Sequence, residues 1–162
     1  MTRAGSPTRW FLAAAALSLG VVAAALFTQH VLGMLPCPWC VLQRLIFVTI
    51  AAFALVGAAV RARAAQTVAA GLVLVGALAG AAAALWQHFV AASSTSCKLT
   101  LADRVMSATG LDALLPNVFA AWATCADAAV KLLGLPYEAW SLLVFLLIGG
   151  AAVRLLWLPA AR

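Results

Sequence analysis

The feature that most constrains this chain is a set of four apolar segments, each long enough to cross a lipid bilayer. They cover about residues 10–31, 41–60, 68–90 and 140–158, and a helix needs about 20 apolar residues to span the hydrocarbon core. The chain is 67% hydrophobic and 9% charged, whereas soluble domains are about half apolar and a quarter charged. Because open strand edges leave backbone groups unpaired in lipid, the sequence predicts an all-α membrane protein, a four-transmembrane-helix bundle.

We expect residues 1–162 to form a single integral membrane domain with two outer loops, residues 32–40 and 92–139. The charges differ between the two ends of such a bundle. The termini and the 61–67 loop carry six cations and no anion: Arg3, Arg9, Arg61, Arg63, Arg154 and Arg162. The other end is balanced, with Arg44, Lys98, Arg104 and Lys131 against Asp103, Asp112, Asp127 and Glu138. By the positive-inside rule both termini are cytoplasmic. The net charge of +6 is thereby explained without nucleic-acid binding.

The four cysteines all fall on the predicted outer side of the membrane: Cys37, Cys40, Cys97 and Cys125. An even number of cysteines in an oxidising compartment indicates two disulfides, and the spacing leaves all three pairings open. A disulfide within Cys37-x-x-Cys40 closes too small a loop to add much stability, but the spacing suits a reversible dithiol. A zinc site would need four nitrogen or sulfur ligands, and no second Cys-x-x-Cys is present. We therefore favour a redox role over a structural or metal-binding one.

The residues around the Cys-x-x-Cys pair favour reactive thiols. Pro38 suits the first position of a helix, which places Cys37 at the N-cap, where the helix dipole stabilises a thiolate. Arg44 follows Cys40 by four residues and lies on the same helix face. The cap argument predicts that Cys37 is the more acidic thiol, whereas the Arg44 argument favours Cys40, and we follow the Arg44 argument.

Three short polar groups occur at the outer ends of the apolar segments: Thr28-Gln29-His30, Gln43-Arg44 and Trp86-Gln87-His88. Ionisable groups at membrane depth usually face a bundle interior or a cavity. The alternative is that they lie in the headgroup region without a functional role. We favour this for His30, leave it open for His88, and favour a functional role for Arg44. The chain has no dinucleotide fingerprint and no haem-attachment motif, so a membrane-dissolved quinone is the better-fitting electron acceptor.

The second outer loop is predicted to contain a short surface helix. Apolar residues share one helical face from Val118 through Cys125 to Leu132, and Gly134 is expected to cap this helix. The sequence SSTSC of residues 93–97 indicates a flexible segment, so Cys97 would lie in a mobile part of the loop. The alternative is that Cys97 and Cys125 simply staple the loop.

With these residues in hand, the chain resembles the DsbB family of quinone-linked disulfide-bond formation membrane proteins. The resemblance covers nearly the whole chain and rests on four features: QHVLGMLPCPWCVLQR (29–44), QH (87–88), the pair Cys97 and Cys125, and LGLPYEAW (133–140). It implies a protein of the bacterial inner membrane with its cysteine loops in the periplasm. It also implies two partners, a periplasmic DsbA-like thioredoxin-fold protein and a membrane quinone (ubiquinone or menaquinone), and no metal.

The resemblance also implies roles for individual residues. Cys97 would be the partner-facing member of a Cys97–Cys125 disulfide, and Cys125 would exchange with Cys37 of a Cys37–Cys40 pair. Cys40 would engage the quinone, with Arg44 stabilising its thiolate and the reduced quinone. His88 matches a family position near the quinone.

Two other functions remain open at this point. One is a quinone-linked thiol oxidoreductase of the vitamin K epoxide reductase type, in which the loop cysteines would precede the Cys-x-x-Cys; here they follow it. The other is a non-catalytic tetraspan protein with disulfide-stapled loops.

Overall fold

Four long helices form an antiparallel bundle in the computed structural model, which describes residues 6–93 and 100–157. The elements follow in chain order: α1 (Pro7–His30), α2 (Pro38–Ala59), α3 (Arg63–Phe89), a 3₁₀ turn (Ala91–Ser93), α4 (Leu101–Thr109), α5 (Leu111–Leu114), α6 (Pro116–Phe119), β1 (Lys131–Leu132), β2 (Leu135–Pro136) and α7 (Tyr137–Trp157). By length and composition α1, α2, α3 and α7 can each cross a membrane. The predicted four-helix membrane bundle is confirmed.

The helices pack in a ring in which one seam is looser than the others. α2 packs closely against α1 and α3, and α3 packs closely against α7, but α1 and α7 contact each other much less. Four crossings bring the start of α1, the end of α7 and the α2–α3 connection to the same end of the bundle, where the Arg154 guanidinium lies 5.8 Å from the Trp10 ring centroid. The long α3–α7 connection lies at the opposite end.

Close helix packing depends on small residues placed opposite aromatic rings. The rings of Phe47 and Phe145 stack with centroids 4.0 Å apart, and both side chains are fully buried. Gly80 of α3 faces Phe145 so closely that a Cβ at this position would overlap the ring. Small residues at such contacts let helices approach each other closely. In lipid this close packing matters, because the lipid tails are as apolar as the side chains and burial alone adds little to the stability of the bundle.

The start of α2 is built by the Cys-x-x-Cys segment itself. Pro38 occupies the first helical position, and Cys37 is the N-cap in an extended conformation. The Cys37 sulfur accepts a hydrogen bond from the Cys40 amide at 3.3 Å. The predicted N-cap position of Cys37 is therefore confirmed.

The prediction of a surface helix from Val118 to Leu132 is wrong in position. The longest helix of the outer loop is α4, which begins at a capping box between Thr100 and Asp103 and ends at Gly110 in the left-handed conformation. Residues 120–130 form no helix. Gly134 caps no helix either: with a φ of 84° it lies in the turn between β1 and β2.

A long-range contact explains why residues 120–130 are not helical. The amides of Trp122 and Ala123, which a helix would use internally, both donate to the Pro36 carbonyl, at 3.0 and 3.3 Å. The Thr124 side chain then bonds Asp127 at 2.6 Å and closes a local turn. The segment is thus held against the entrance of α2.

Candidate functional site

Three of the four cysteines meet at the outer end of the bundle. The Sγ atoms of Cys37 and Cys40 are 2.7 Å apart, and Cys37 also hydrogen-bonds Cys125 from the second outer loop. Cys37 is completely buried, Cys125 is buried, and Cys40 is half-buried. Cys97 lies outside the described residues. Cys37 therefore contacts both of the other described sulfurs.

The Pro36 carbonyl positions Cys125. Its two hydrogen bonds with the amides of Trp122 and Ala123 fix the chain just before Cys125 against the chain just before Cys37. Small buried residues, Ala91 and Ala102, fill the space around the two sulfurs. The two outer loops are thus joined at the thiols rather than held apart.

The hydrogen bonds among the thiols oppose the effect of the helix cap. The bond with Cys125, then the bond with Cys40 and burial, raise the pKa of the Cys37 thiol well above its usual value. The bond from Cys37 lowers the pKa of Cys125. These contacts and burial disfavour the Cys37 thiolate more than the helix cap favours it, which argues against the cap argument for Cys37 as the more acidic thiol.

Arg44 is buried and ties three segments together. Its Nη1 donates to Gln29 Oε1 at 2.6 Å and to the Val118 carbonyl at 3.0 Å, and its Nη2 donates to the Ala25 carbonyl at 3.3 Å. These bonds link α2 to the outer end of α1 and to α6. They aim the guanidinium toward α1, although Arg44 and Cys40 line a common cavity.

This polar cavity lies between the outer ends of α1, α2, α3 and α7 and has a volume of about 30 Å³. Its polar lining consists of Cys40, Gln43, Arg44, Gln87, Tyr137 and Glu138, together with Ser141. The volume holds about one water molecule. A much larger groove of about 600 Å³ between α2 and α3 has an almost wholly apolar lining that includes Trp39 and Trp86 but none of the cysteines. Of these two spaces, the polar cavity is the one lined by a cysteine.

The two histidines lie on the outside of the site. His88 Nδ1 is 2.7 Å from Glu138 Oε1, and the buried Glu138 lines the polar cavity, whereas His88 is not among the lining residues. His30 is exposed, with Nε2 at 3.2 Å from the Asn117 carbonyl oxygen. His88 therefore reaches the cavity only through Glu138.

Sequence reasoning missed the immediate partners of Cys40 and His88. Gln87 Nε2 donates to the Cys40 sulfur at 3.3 Å, and Gln43 Nε2 donates to Gln87 Oε1 at 2.7 Å. Both glutamines are visible as polar residues in apolar helices, but nothing local assigns them to a sulfur. Glu138 was considered only for its negative charge, and its contact with His88 was not predicted.

Comparison with known proteins gives a consistent result. The family described as disulfide bond formation protein DsbB matches residues 7–155. "Disulfide bond formation protein B 1" of Pseudomonas fluorescens (strain Pf0-1) is 34% identical over 149 residues, which cover 90% of this chain and 87% of the relative. "Disulfide bond formation protein B" of Herminiimonas arsenicoxydans is 36% identical over 137 residues, with 84% and 86% covered. The protein of the same name from Azoarcus sp. (strain BH72) is 35% identical over 162 residues, with 94% and 92% covered.

Proposed function

Because this chain belongs to the DsbB family of disulfide bond formation proteins, we propose that it reoxidises a periplasmic DsbA-like dithiol protein and passes the electrons to a membrane quinone. Membership of the family makes the protein a multi-pass membrane thiol oxidase that generates disulfides and works with a periplasmic partner. The proposal concerns the residues that carry the electrons, the acceptor and the orientation in the membrane.

The observation that carries the proposal is the position of Cys37 between Cys40 and Cys125. Thiol–disulfide exchange requires a thiolate to attack a sulfur of a disulfide directly. A Cys125 thiolate in contact with Cys37 can make that attack without rearrangement of the loops. The contact therefore supports transfer between the outer loop and the Cys-x-x-Cys pair.

Each exchange step forms one disulfide bond and breaks another. A partner thiolate attacks Cys97 of the Cys97–Cys125 disulfide and releases Cys125 as a thiolate; the partner's second thiolate then displaces Cys97 and closes the partner's disulfide. Cys125 next attacks Cys37 of the Cys37–Cys40 disulfide and releases Cys40 as a thiolate. Attack of Cys97 on Cys125 restores their disulfide and leaves Cys37 and Cys40 reduced.

The acceptor must be a good oxidant, because DsbA-type proteins have potentials near −120 mV and ordinary protein disulfides are too weak to oxidise them. A bound quinone would take up two electrons and two protons as the Cys37–Cys40 disulfide forms again. The donors around the polar cavity suit the two ring oxygens of a quinone, with Arg44 and the Tyr137 hydroxyl beside Cys40. Since the cavity has room for about one water molecule, it would have to widen to admit a quinone ring.

The proposed location is the inner membrane, with both termini cytoplasmic and the cysteines periplasmic. The charge distribution supports this orientation, because Arg9, Arg61, Arg63 and Arg154 lie at the end of the bundle opposite to the cysteines. His88 would act on the site through Glu138 rather than by direct contact with the acceptor.

Quinone reduction by the purified protein tests the proposal. The protein is mixed with a reduced DsbA-type protein and ubiquinone, and the quinone absorbance is followed. We expect steady reduction by the wild type and by His30→Ala, and none by Cys40→Ser, which cannot form the Cys37–Cys40 disulfide again. Absence of quinone reduction by the wild type with a competent partner would refute the proposal.

A further inference from the structure

The Cys40 sulfur accepts a hydrogen bond from a neutral side chain that has no role in the exchange steps described above. Gln87 Nε2 lies 3.3 Å from the Cys40 sulfur, within the range for a hydrogen bond to sulfur. The bonds of Arg44 go instead to Gln29 and to the carbonyls of Ala25 and Val118. Apart from the Cys37 thiol, the side-chain donor in contact with the Cys40 sulfur is therefore an amide on α3 rather than the cation on α2.

Gln43 fixes which end of the Gln87 amide faces the sulfur. It donates to Gln87 Oε1 at 2.7 Å, so the oxygen of Gln87 is occupied and its NH₂ group points to Cys40. Both glutamines are 3% exposed, so bulk solvent has little access to these bonds. A buried donor held in this way favours the charged form of its acceptor, because an ionised sulfur accepts a hydrogen bond far better than a thiol does.

We propose that Gln87 is a catalytic residue that stabilises the Cys40 thiolate, and that Gln43 is a positioning residue that orients the Gln87 amide. The consequence for the exchange is directional. A disulfide breaks faster when the departing sulfur is the better-stabilised thiolate, so Cys125 attacks Cys37 and Cys40 departs. This consequence rests on the proposed function, but the stabilisation of the thiolate does not.

The other titratable groups near the Cys40 sulfur come from three elements. Cys37 and Arg44 belong to the start of α2, Cys125 to the outer loop, and Tyr137 and Glu138 to the start of α7. The residues that α1 contributes to the polar cavity, Val21, Val22 and Ala25, carry no titratable group. A test must therefore remove the other thiols and leave Arg44, Tyr137 and Glu138 in place.

The rate of Cys40 alkylation as a function of pH provides the test, in protein whose other cysteines are replaced by serine. In this background we compare Gln87→Leu, Gln43→Leu and the isosteric Gln87→Glu. The matched control is Gln66→Leu, because Gln66 is also a glutamine of α3 whose amide donates a hydrogen bond, to the Val60 carbonyl, but at the far end of the bundle. The measurement requires neither quinone nor partner, so its failure and the failure of quinone reduction are distinguishable.

We expect Gln87→Leu to slow alkylation about tenfold on the acidic side of the curve and to move its midpoint up by about one pH unit. Gln43→Leu should give a smaller shift in the same direction. Gln87→Glu, which places a negative oxygen near the sulfur, should give a larger upward shift of the midpoint. This variant also serves as the test if Gln87→Leu does not fold. An unchanged midpoint in Gln87→Leu and Gln87→Glu would overturn the proposal, as would a slowing that is equal at every pH, since that reports access alone.

Discussion

His88 Nδ1 lies 2.7 Å from Glu138 Oε1, which ties the last turn of α3 to the first turn of α7. Glu138 is 6% exposed and lines the polar cavity beside Cys40. The contact thus holds a buried carboxyl group in place next to the proposed site of oxidation.

Removal of His88 should destabilise the protein, because the buried carboxyl group of Glu138 loses a hydrogen-bond partner. An unsatisfied buried polar group costs about 1–3 kcal/mol, so we expect His88→Ala to lower the thermal stability measured in detergent. His30→Ala is the matched control, since His30 is exposed, and its effect should stay within about 0.5 kcal/mol. Equal effects of the two substitutions would contradict a supporting role of His88.

The thiol contacts predict how Cys125 responds to its neighbours. The hydrogen bond from Cys37 lowers the pKa of Cys125, so Cys37→Ala should raise that pKa, reduce the thiolate fraction near neutral pH and slow alkylation of Cys125. The rates are compared in a Cys97→Ala background under reducing conditions and followed by mass spectrometry. Cys40→Ala is the control, because the charge of Cys40 opposes the Cys125 thiolate and its removal should not slow the reaction. Slowing by Cys40→Ala but not by Cys37→Ala would contradict the prediction.

Two glycines of α3 should respond differently to the same substitution. A Cβ at Gly80 would overlap the Phe145 ring, which is buried and stacked on Phe47, whereas a Cβ at Gly71 would meet nothing within 4 Å. Overpacking of this kind costs about 1–3 kcal/mol, so Gly80→Ala should unfold at lower temperature in detergent. Gly71→Ala should be neutral or slightly stabilising because alanine favours the helix. A neutral Gly80→Ala would show that the α3–α7 contact is looser than described.

The orientation in the membrane can be tested with cysteines introduced at two exposed positions in a protein that lacks its own four. Leu133 at the hairpin tip is 86% exposed, and Arg61 lies in the exposed α2–α3 connection. In intact spheroplasts a membrane-impermeant thiol reagent should label Leu133→Cys and should label Arg61→Cys only after the membrane is permeabilised. The reverse pattern would contradict periplasmic cysteines.

The parts of this structure that follow from local sequence could be predicted. Hydropathy fixes the four crossings, since lipid leaves the backbone few alternatives, and Pro38 fixes the start of α2 with Cys37 as its cap. Both rest on residues that are close together in the chain.

The errors arise where distant residues compete with local patterns. Helical spacing from Val118 onward predicted a helix, but the Pro36 carbonyl accepts hydrogen bonds from the amides of Trp122 and Ala123 instead. Likewise, the bond between Gln43 and Gln87 joins residues 44 positions apart, and no periodicity within one helix reveals it. The same is true of Glu138, whose partner His88 lies on another helix.

The most direct test of the account is the stoichiometry of a single anaerobic reaction. The oxidised protein, in lipid vesicles that contain quinone, is mixed with a reduced DsbA-type protein in excess over the protein's own disulfides, and partner disulfide and reduced quinone are quantified together. The account predicts one reduced quinone for each partner disulfide beyond those formed by the protein's own disulfides, and no such excess with Cys40→Ser. Partner oxidation that stops when the protein's own disulfides are used up, with no reduced quinone formed, would contradict it.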